Sequence, residues 1–528
     1  MSTINDSDFV LVKRGSTHYK AEAGTLASKI QDTDTLLVKR GGSHYQVAAS
    51  DVNSKVQDTD ECLIQRGSTA YKVTGAVFKA LFGQTWGIAF DPELIFEVRD
   101  LAGGDSGEVY AVGKRSGGTG GYYYDAFVLR IDSDGTLAWF KNVQLSDAGD
   151  FSEEVEYAVH CEFINGRLQV GYIWDGKAHV DNFDPNGVAY NRQQMDQYSY
   201  VNDIIQGGGV GSNISSIVVA QWNGKTTTYE LTGPTLDADV SSQNAVLFEG
   251  TNEAKGAATL RKEGSSELPI FITGKSAVPN TAYLFKVAAG GLSLNYAKHI
   301  TQTGYDQGFN MHSHDVVLSN GDPVVLFSWD KGWYQKIALV KYDQNGNVTW
   351  FRRPHGTFLK SYVQYYTTCL ASDNDGNIYA LYRVATGTTT NTTWGAYLQK
   401  FNSSGTVQWT KWIRRQDGEM PGAINSVAVT KQGMLVFAFD HHIMQVTTDG
   451  NWANGTASSP SYVNHGDGIY FVEVNPSIST STHSHLQLSD GLANYSVSSY
   501  DLNGEEITNI YRQGTFESYT TTTYDVPS

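Results

Sequence analysis

Three pairs of histidines are the residues whose type and spacing best suit metal binding. The pairs are His312/His314, His441/His442 and His483/His485. Side chains two positions apart on a β-strand point to the same face of the sheet, so one such pair could share a metal ion. A third ligand at a characteristic spacing does not accompany any pair, and the three cysteines form no CxxC motif. We therefore expect no metal and no cofactor, and we interpret the histidines as surface or packing residues.

A second candidate is the segment Gly104-Asp105-Ser106-Gly107, which looks like the nucleophile segment of chymotrypsin-type proteases. A serine nucleophile also needs a base and an acid that orients the base. The segment "GGDSGEVY" has the same form as "SDNDGNIY" at 372–379, which indicates a turn between two strands. We interpret Ser106 as a turn residue and expect no catalytic residue there.

Aspartate-rich turns at Asp132/Asp134 and Asp373/Asp375 could bind calcium weakly, but neither completes a twelve-residue loop with a closing glutamate. The stretch "IDSDGTLAW" invites comparison with the Asp-box of sialidases, yet it lacks the residue that the box has between Asp134 and Gly135. Neither an arginine triad nor a paired-carboxylate motif accompanies it, although carboxylates distant in sequence could meet in a pocket. The chain is therefore predicted not to be an enzyme.

These turns belong to a loose repeat that fills the chain from about residue 85. The segments "FVLRIDSDGTLAWFK", "IALVKYDQNGNVTWFR" and "AYLQKFNSSGTVQWTK" each contain a strand, an Asp/Asn turn that ends in glycine, and a strand with a tryptophan. Weaker copies place the turn glycines at Gly135, Gly187, Gly291, Gly346, Gly405, Gly450 and Gly504, with a degenerate copy near Gly233. Adjacent glycines lie 45 to 59 residues apart, except for one gap of 104.

About four strands in each period indicate a β-propeller with one blade per period. Eight turns favour eight blades, and seven is the alternative count if the copy near Gly233 or the last one is an added hairpin. The strong copies resemble the propeller repeats of secreted bacterial proteins, a resemblance of fold only. Glycine permits the positive φ of the turn, and Asp or Asn bonds to its own backbone there. We expect Trp139, Trp350 and Trp409 to pack between neighbouring blades.

Residues 1–82 have a different organisation, because three 26-residue units follow one another without insertion. Each unit predicts a hairpin with a glycine turn and then a short helix, as in "TLLVKRGGSHYQVA" followed by Val52 and Val56. A ββα unit of this size cannot bury enough apolar surface alone, so the three units either stack on one another as a small solenoid-like domain or dock onto a larger assembly. The chain is thus predicted to be mainly β, with three ββα repeats at 1–82 and a propeller at 83–528.

Each unit carries an arginine at the turn and a tyrosine in the second strand. The equivalent residues are Arg14, Tyr19, Arg40, Tyr45, Arg66 and Tyr71. Arginine and tyrosine are enriched where interfaces carry most of their binding energy, so these six residues form a candidate anchoring interface. The alternative is that each tyrosine packs within its own unit and each arginine meets the aspartates of the next unit.

The pattern from Asp32 to Val47 resembles the short N-terminal repeats of virion proteins from tailed phages, particularly phages that infect marine cyanobacteria. The resemblance covers residues 5–82. It implies a virion structural protein whose repeats attach it to the particle, with the propeller projecting as a spacer or a host-binding head. A tail or tail-fibre position is favoured by analogy, and the implied partners are other virion proteins.

Composition narrows the other partners. The formal net charge is −17, and residues 1–82 hold 10 Lys/Arg and 9 Asp/Glu, which leaves 28 basic and 46 acidic residues for the body. Such an acidic body disfavours nucleic acid as a partner. The opening lacks the features of a secretory signal, and no run of 18 apolar residues occurs, so we expect no membrane insertion and a virion location after synthesis in the host cytoplasm.

The predicted function is therefore that of a phage virion structural protein, forming homo-oligomers in the particle and binding a host-surface glycan if the propeller is a receptor-binding head. One alternative is a polysaccharide-degrading enzyme of the virion, which would need convergent carboxylates at the mouth of the propeller. Another alternative is a capsid decoration protein.

Overall fold

A computed structural model gives the structure of the chain. It describes forty strands between Phe9 and Pro527 and short segments that adjoin them, chiefly the turns at 104–108, 132–136, 184–188, 320–321, 343–347, 373–377, 402–406 and 430–433. No helix occurs among the described residues, and none of them forms a helical segment long and apolar enough to cross a membrane.

The first six strands form three antiparallel hairpins in one sheet. They are β1 (Phe9–Arg14), β2 (Thr17–Glu22), β3 (Thr35–Arg40), β4 (Ser43–Ala48), β5 (Glu61–Arg66) and β6 (Thr69–Thr74). In each hairpin the two paired end residues are separated by two residues, as Arg14 and Thr17 are, which fits the predicted tight turn. The predicted helical segments, with Leu26/Ile30, Val52/Val56 and Phe78/Phe82, lie outside the described residues.

The body is a β-propeller, and six of its sheets are each built on four consecutive strands, to which further strands are added in blades 3 to 6. Blade 1 contains β8 (Glu97–Gly103), β9 (Val109–Ser116), β10 (Tyr124–Ile131) and β11 (Leu137–Val143). Blade 2 contains β12 (Val155–Ile164), β13 (Arg167–Trp174), β14 (Lys177–Phe183) and β15 (Ala189–Gln197). Blade 3 contains β16 (Ser199–Gln206), β17 (Ser216–Trp222), β18 (Lys225–Thr232) and β19 (Ser242–Phe248).

The second half of the ring continues in the same way. Blade 4 contains β20 (Thr251–Thr259), β21 (Ile270–Ser276), β22 (Thr281–Val287) and β23 (Leu294–Thr303). Blade 5 contains β24 (Phe309–Ser319), β25 (Asp322–Lys331), β26 (Tyr334–Tyr342) and β27 (Val348–Arg352), with β28 (Leu359–Lys360) paired to β26. Blade 6 contains β29 (Cys369–Ser372), β30 (Ile378–Gly387), β31 (Thr392–Phe401) and β32 (Val407–Arg415).

A composite sheet closes the ring, because it joins strands from both ends of the body. It contains β33 (Ile424–Val429), β34 (Met434–Phe439), β35 (His442–Thr447) and β7 (Trp86–Ala89). Strand β7 pairs with β35, and β33 in turn contacts β8 of blade 1. Sharing a sheet between the two ends removes the open edge that a linear array of blades would leave.

The predicted counts of eight blades and, as the alternative, seven both differ from the described structure, which has six blades of consecutive strands together with the composite sheet. The copy around Gly504 is not a blade, since its flanking strands extend the edge of blade 3 through a pairing of β19 with β38. The C-terminal strands are β36 (Ile469–Glu473) on blade 6, β37 (Thr482–Asp490) and β40 (Thr521–Pro527) on blade 4, and β38 (Val497–Tyr500) and β39 (Glu506–Thr508) on blade 3. The turn glycines Gly233, Gly291, Gly450 and Gly504 lie outside the described residues.

Apolar side chains fill the space between neighbouring sheets. Blades 1 and 2 share a cluster that contains Tyr110 and Tyr172, blades 4 and 5 share one with Phe271 and Phe327, and blade 1 meets the composite sheet through Phe127 and Ile443 in a third. Burial of apolar surface on both faces of each sheet holds the ring together.

The repeated turn motif ties neighbouring sheets together at three places in the described ring. At Gly135, Gly187, Gly346 and Gly405 the glycine has φ between 76° and 87°, as predicted. Trp350 Nε1 donates to the carbonyl of Ser403 in the next blade at 3.0 Å, and Trp409 and Trp139 donate in the same way to Thr448 and Pro185. The prediction that these tryptophans pack between blades is confirmed.

Candidate functional site

The seven innermost strands of the ring face the propeller axis and contact one another in order. They are β8, β12, β16, β20, β24, β29 and β33. In several of them the antiparallel register shifts by one residue midway, for example between Val98 and Asp100 and between Ser313 and Asp315. A β-bulge of this kind re-aims the following side chain. In blades 1, 3 and 5 the residue that follows the bulge is an aspartate.

These three residues, Asp100, Asp203 and Asp315, are called the axial aspartates below. Each one accepts the N–H of the residue that follows it, at 2.7 to 2.8 Å, through one carboxylate oxygen. Through the other oxygen each accepts an N–H from the next blade, namely that of Cys161 at 3.0 Å, Ala257 at 2.6 Å and Leu370 at 2.7 Å respectively. Each axial aspartate therefore joins two adjacent blades at the axis.

Asp100 has two further partners. The hydroxyl of Ser426 in the composite sheet donates to Asp100 Oδ1 at 2.7 Å, and His160 Nδ1 lies 3.3 Å from Asp100 Oδ2. Both side chains of the latter pair keep some accessible surface, 27% for His160 and 19% for Asp100. Asp100 thus connects blade 1 to both of its neighbours and closes the ring at its centre.

Asp203 and Asp315 approach blade 4 from its two sides. Asp203 Oδ2 bonds to the N–H of Ala257, and a Cβ atom added to Gly256 would lie 2.8 Å from Asp315 Oδ1. Gly256 therefore lets β20 pass beside Asp315, since any side chain there would collide with the carboxylate. Because these two contacts fall on consecutive residues of β20, the two carboxyl groups are close enough for the charge of Asp203 to act on Asp315.

Burial is the main cause of the raised pKa values of Asp203 and Asp315. It raises the pKa of Asp203 to about 6 and that of Asp315 to about 8, and the neighbouring carboxylates add to the increase while backbone hydrogen bonds oppose it. Burial lowers the pKa of His160, but the hydrogen bond and charge of Asp100 and the charges of the other axial aspartates outweigh it and raise the pKa overall. Asp203, Asp315 and His160 therefore titrate as one coupled set, in which the charge of one group shifts the pKa of another.

The arrangement supplies proton-binding groups at the axis but no evident metal site. Among the described residues, no group of three or more His, Cys, Asp and Glu side chains is arranged to hold a metal ion. Cys161 and Cys369 are free, and burial raises the pKa of both thiols well above the ordinary value. A protonated thiol is a poor nucleophile and a poor metal ligand.

Of the three histidine pairs, the structure describes both side chains of His312/His314 only. His314 Nε2 lies 2.6 Å from Ser328 Oγ within blade 5, and burial lowers the pKa of His314 to about 3. The rings of His312 and His314 are 6.5 Å apart and tilted by 40°. His442 is buried in the composite sheet, whereas His441 and the side chains of His483 and His485 lie outside the described residues.

Ser106 and the aspartate-rich turns serve the backbone. The Ser106 N–H donates to Glu108 Oε2 at 2.8 Å and its carbonyl accepts from Gln432 in the composite sheet, so the segment is a turn, as predicted. Asp373 Oδ1 accepts the N–H groups of Asp375 and Asn377, and its Oδ2 accepts Asn377 Nδ2 and the Tyr379 hydroxyl. Four hydrogen bonds occupy this carboxylate, which leaves it poorly placed to bind calcium.

The candidate anchoring residues occupy equivalent register positions in the three hairpins. Arg14, Arg40 and Arg66 end the first strands, opposite Thr17, Ser43 and Thr69. Tyr19, Tyr45 and Tyr71 lie in the second strands, opposite Val12, Val38 and Ile64. The contacts of their side chains lie outside what the structure describes.

Sequence reasoning missed the axial aspartates, although a pattern for them exists. The segments "RDLA", "NDII" and "HDVV" each place an aspartate after a polar or charged residue and before apolar residues, in the first strand of a blade. The spacing of about two blades between copies, Asp100 to Asp203 to Asp315, conceals the repeat at the single-blade period.

Comparison with known proteins finds similarity to solved structures at low sequence identity. No protein-family model and no curated protein matches the chain. Among solved structures it is similar to the phage phi92 endosialidase, at 13% identity and a TM-score of 0.38, over 75% of this chain and 70% of that one. It is also similar to a protein of unknown function from Bacteroides caccae, at 11% identity and a TM-score of 0.28, over 71% and 96% of the two chains. A third is a protein from Lactobacillus plantarum, at 9% identity and a TM-score of 0.38, over 71% and 94%.

Proposed function

We propose that the chain is a virion structural protein of a tailed phage, in which the hairpin repeats attach a rigid propeller to a tail or tail fibre. Its partners are then other virion proteins, including further copies of itself. The propeller then acts as a spacer, or it presents a surface that binds a host glycan. The source of the repeats is suggested by their sequence resemblance to virion proteins of cyanobacterial phages.

One structural observation favours a scaffold over a catalyst. Each axial aspartate uses both carboxylate oxygens to accept backbone N–H groups, one of them from the neighbouring blade. The polar groups at the centre of the ring therefore hold blades together, and Ser106 and Asp373 likewise serve turns. A ring with its polar centre engaged in this way suits a structural or spacing role.

The experiment that tests this proposal compares particles assembled with the full chain and with a chain that lacks residues 1–82. We expect mass spectrometry to find the full chain in purified particles and to find the truncated chain absent from them. Circular dichroism of the purified truncated chain should still show a folded β-protein. Retention of the truncated chain at normal copy number would contradict the anchoring role.

A second candidate, a virion polysaccharide depolymerase, is favoured by the raised pKa values of Asp203 and Asp315. A carboxyl group that stays protonated near neutral pH can act as a general acid, and glycosidases commonly use two carboxyl groups. Incubation of the purified chain with host-envelope polysaccharide tests this candidate. Cleavage that is lost in both Asp203→Asn and Asp315→Asn would establish the enzyme, whereas absence of cleavage by the folded chain would support the scaffold.

A further inference from the structure

The three hairpins are joined to one another by short pairings between their first strands. Strand β1 pairs with β3 through Val12↔Leu36 and Lys13↔Thr35. Strand β3 pairs with β5 through Val38↔Cys62 and Lys39↔Glu61. Strand β5 pairs back with β1 through Val10↔Ile64 and Phe9↔Gln65. Each first strand therefore pairs with both of the others.

These pairings repeat with the period of the sequence. The units are 26 residues long, and adding 26 to Val12 and Leu36 gives Val38 and Cys62, the residues that pair in the next contact. Adding 26 to Val38 gives Ile64, whose partner Val10 is the counterpart of Cys62 in the first unit. All three contacts thus have the same register, so the hairpins are arranged around a pseudo-threefold axis.

Closure explains why the chain contains three units. The N-terminal half of each first strand contacts one neighbour and the C-terminal half contacts the other, so three hairpins complete the cycle. Three units in one chain then display three equivalent surfaces around one axis. Tyr19, Tyr45 and Tyr71 occupy identical register positions in the second strands of the three hairpins.

We infer that residues 1–82 bind on the threefold axis of a homotrimeric virion protein, with one copy of this chain for every three copies of that partner. The inference rests on the proposed virion function and specifies the partner. Matching pseudosymmetry lets the three surfaces engage three identical subunits at once, and the avidity of three linked sites greatly exceeds that of one. Tyrosine is a residue type that carries much of the binding energy at such interfaces.

Stoichiometry in purified particles provides the first test and requires no variant. Chemical cross-linking identifies the virion protein next to residues 1–82, and quantitative mass spectrometry then gives the ratio of that protein to this chain. We expect three to one. A ratio of one to one, or a partner that is not trimeric, would overturn the inference while the virion function stands. Absence of the chain from particles would overturn both.

Equivalent substitutions in the three units provide the second test. We expect Tyr19→Ala, Tyr45→Ala and Tyr71→Ala in the full chain to reduce incorporation into particles by the same factor, and the triple substitution to reduce it much further. Tyr45→Phe is the matched control, because it keeps the ring and should retain incorporation. Tyrosine variants are preferred to arginine variants. Lys13 pairs with Thr35, which places Arg14 and Asp34, the residues next to this pair, at the junction of two units, so that an arginine variant could disturb the contact between units. Loss of incorporation confined to one of the three variants would contradict threefold binding.

Discussion

Trp139 Nε1 donates a hydrogen bond of 2.9 Å to the carbonyl oxygen of Pro185, and Arg130 Nη1 donates to the same oxygen at 2.6 Å. Donor and acceptor belong to neighbouring blades. The arrangement recurs where Lys341 and Trp350 share the carbonyl of Ser403, and where Lys400 and Trp409 share that of Thr448. The basic residue, the turn and the tryptophan of the sequence repeat are thus parts of one joint between blades.

Replacement of a joint tryptophan should destabilise the propeller. Trp350 is 9% exposed and packs in the cluster between blades 5 and 6, so Trp350→Ala removes both buried apolar area and a hydrogen bond. We expect a loss of about 3–5 kcal/mol in the free energy of unfolding, measured by urea denaturation. Leu137→Ala is the control, because Leu137 is 43% exposed and its loss should cost less than about 0.5 kcal/mol. Similar losses of stability for both variants would contradict the stabilising role of Trp350 in the joint.

Gly405 has a second reason to be glycine besides its backbone conformation. Its φ is +76°, and a Cβ atom there would lie 2.9 Å from Trp350 Cδ2. Gly166 has a φ of +75° but no atom within 4 Å of the equivalent Cβ position. We therefore expect Gly405→Ala to lower the thermal unfolding midpoint clearly more than Gly166→Ala, in which only backbone strain of about 1 kcal/mol operates. Equal shifts would mean that the tryptophan moves aside without cost.

The propeller body was predictable because its recurring chemistry is local. A turn that requires Gly405 and Asn402, followed by Trp409, leaves a pattern that one short segment reveals. The blade count was less accessible, since the strands that flank Gly504 have the sequence of a blade hairpin but extend the edge of blade 3. The axial aspartates were missed because their partners, such as Ala257 N–H for Asp203, come from the backbone of another blade and leave no mark in the side-chain sequence.

Two of the axial aspartates, Asp203 and Asp315, should make stability depend on pH. The folded pKa of Asp315 is about 8, against an ordinary value of 3.8, so the folded state holds a proton that the unfolded state releases. The stabilisation from this group is complete below 3.8, declines as pH rises, and is lost above about 8. Asp203, with a folded pKa of about 6, behaves in the same way over a lower range.

Other titrating groups near Asp315 define the useful window. They include His312 and His314 on the same strand, Lys255 on β20, Asp203 on β16, Asp100 on β8, His160 on β12 and Cys369 on β29. His314 has the opposite sign, because its folded pKa of about 3 lies below the ordinary 6.5, so its contribution is lost as pH falls below 6.5. His160 has the same sign as Asp315, because its folded pKa lies above the ordinary 6.5, so both groups contribute to the slope between pH 6.5 and 8, where His314 no longer does.

In that window the free energy of unfolding should fall as pH rises, by up to about 1.4 kcal/mol per pH unit for the Asp315 proton. Asp315→Asn should reduce this slope, because the amide does not titrate, although one N–H acceptor is also lost and overall stability decreases. Urea denaturation at pH 6.5, 7.2 and 8 measures both quantities. An unchanged slope in the variant would assign the pH dependence to other groups.

The closing strand β7 should be the point at which N-terminal truncation begins to damage the ring. Residues 86–89 pair with 442–445 in the composite sheet, and Ile88 packs against the cluster that contains Ile443 and Phe127. A chain that lacks residues 1–82 keeps this strand, whereas a chain that lacks residues 1–89 loses it and exposes the edge of β35. An exposed sheet edge can pair with another chain.

We expect the shorter deletion to remain monodisperse by size-exclusion chromatography, and the longer one to unfold several degrees lower and to aggregate. The two chains differ by only seven residues, so their comparison isolates the strand. Equal unfolding temperatures would show that the six blades of consecutive strands hold the ring without the composite sheet's fourth strand.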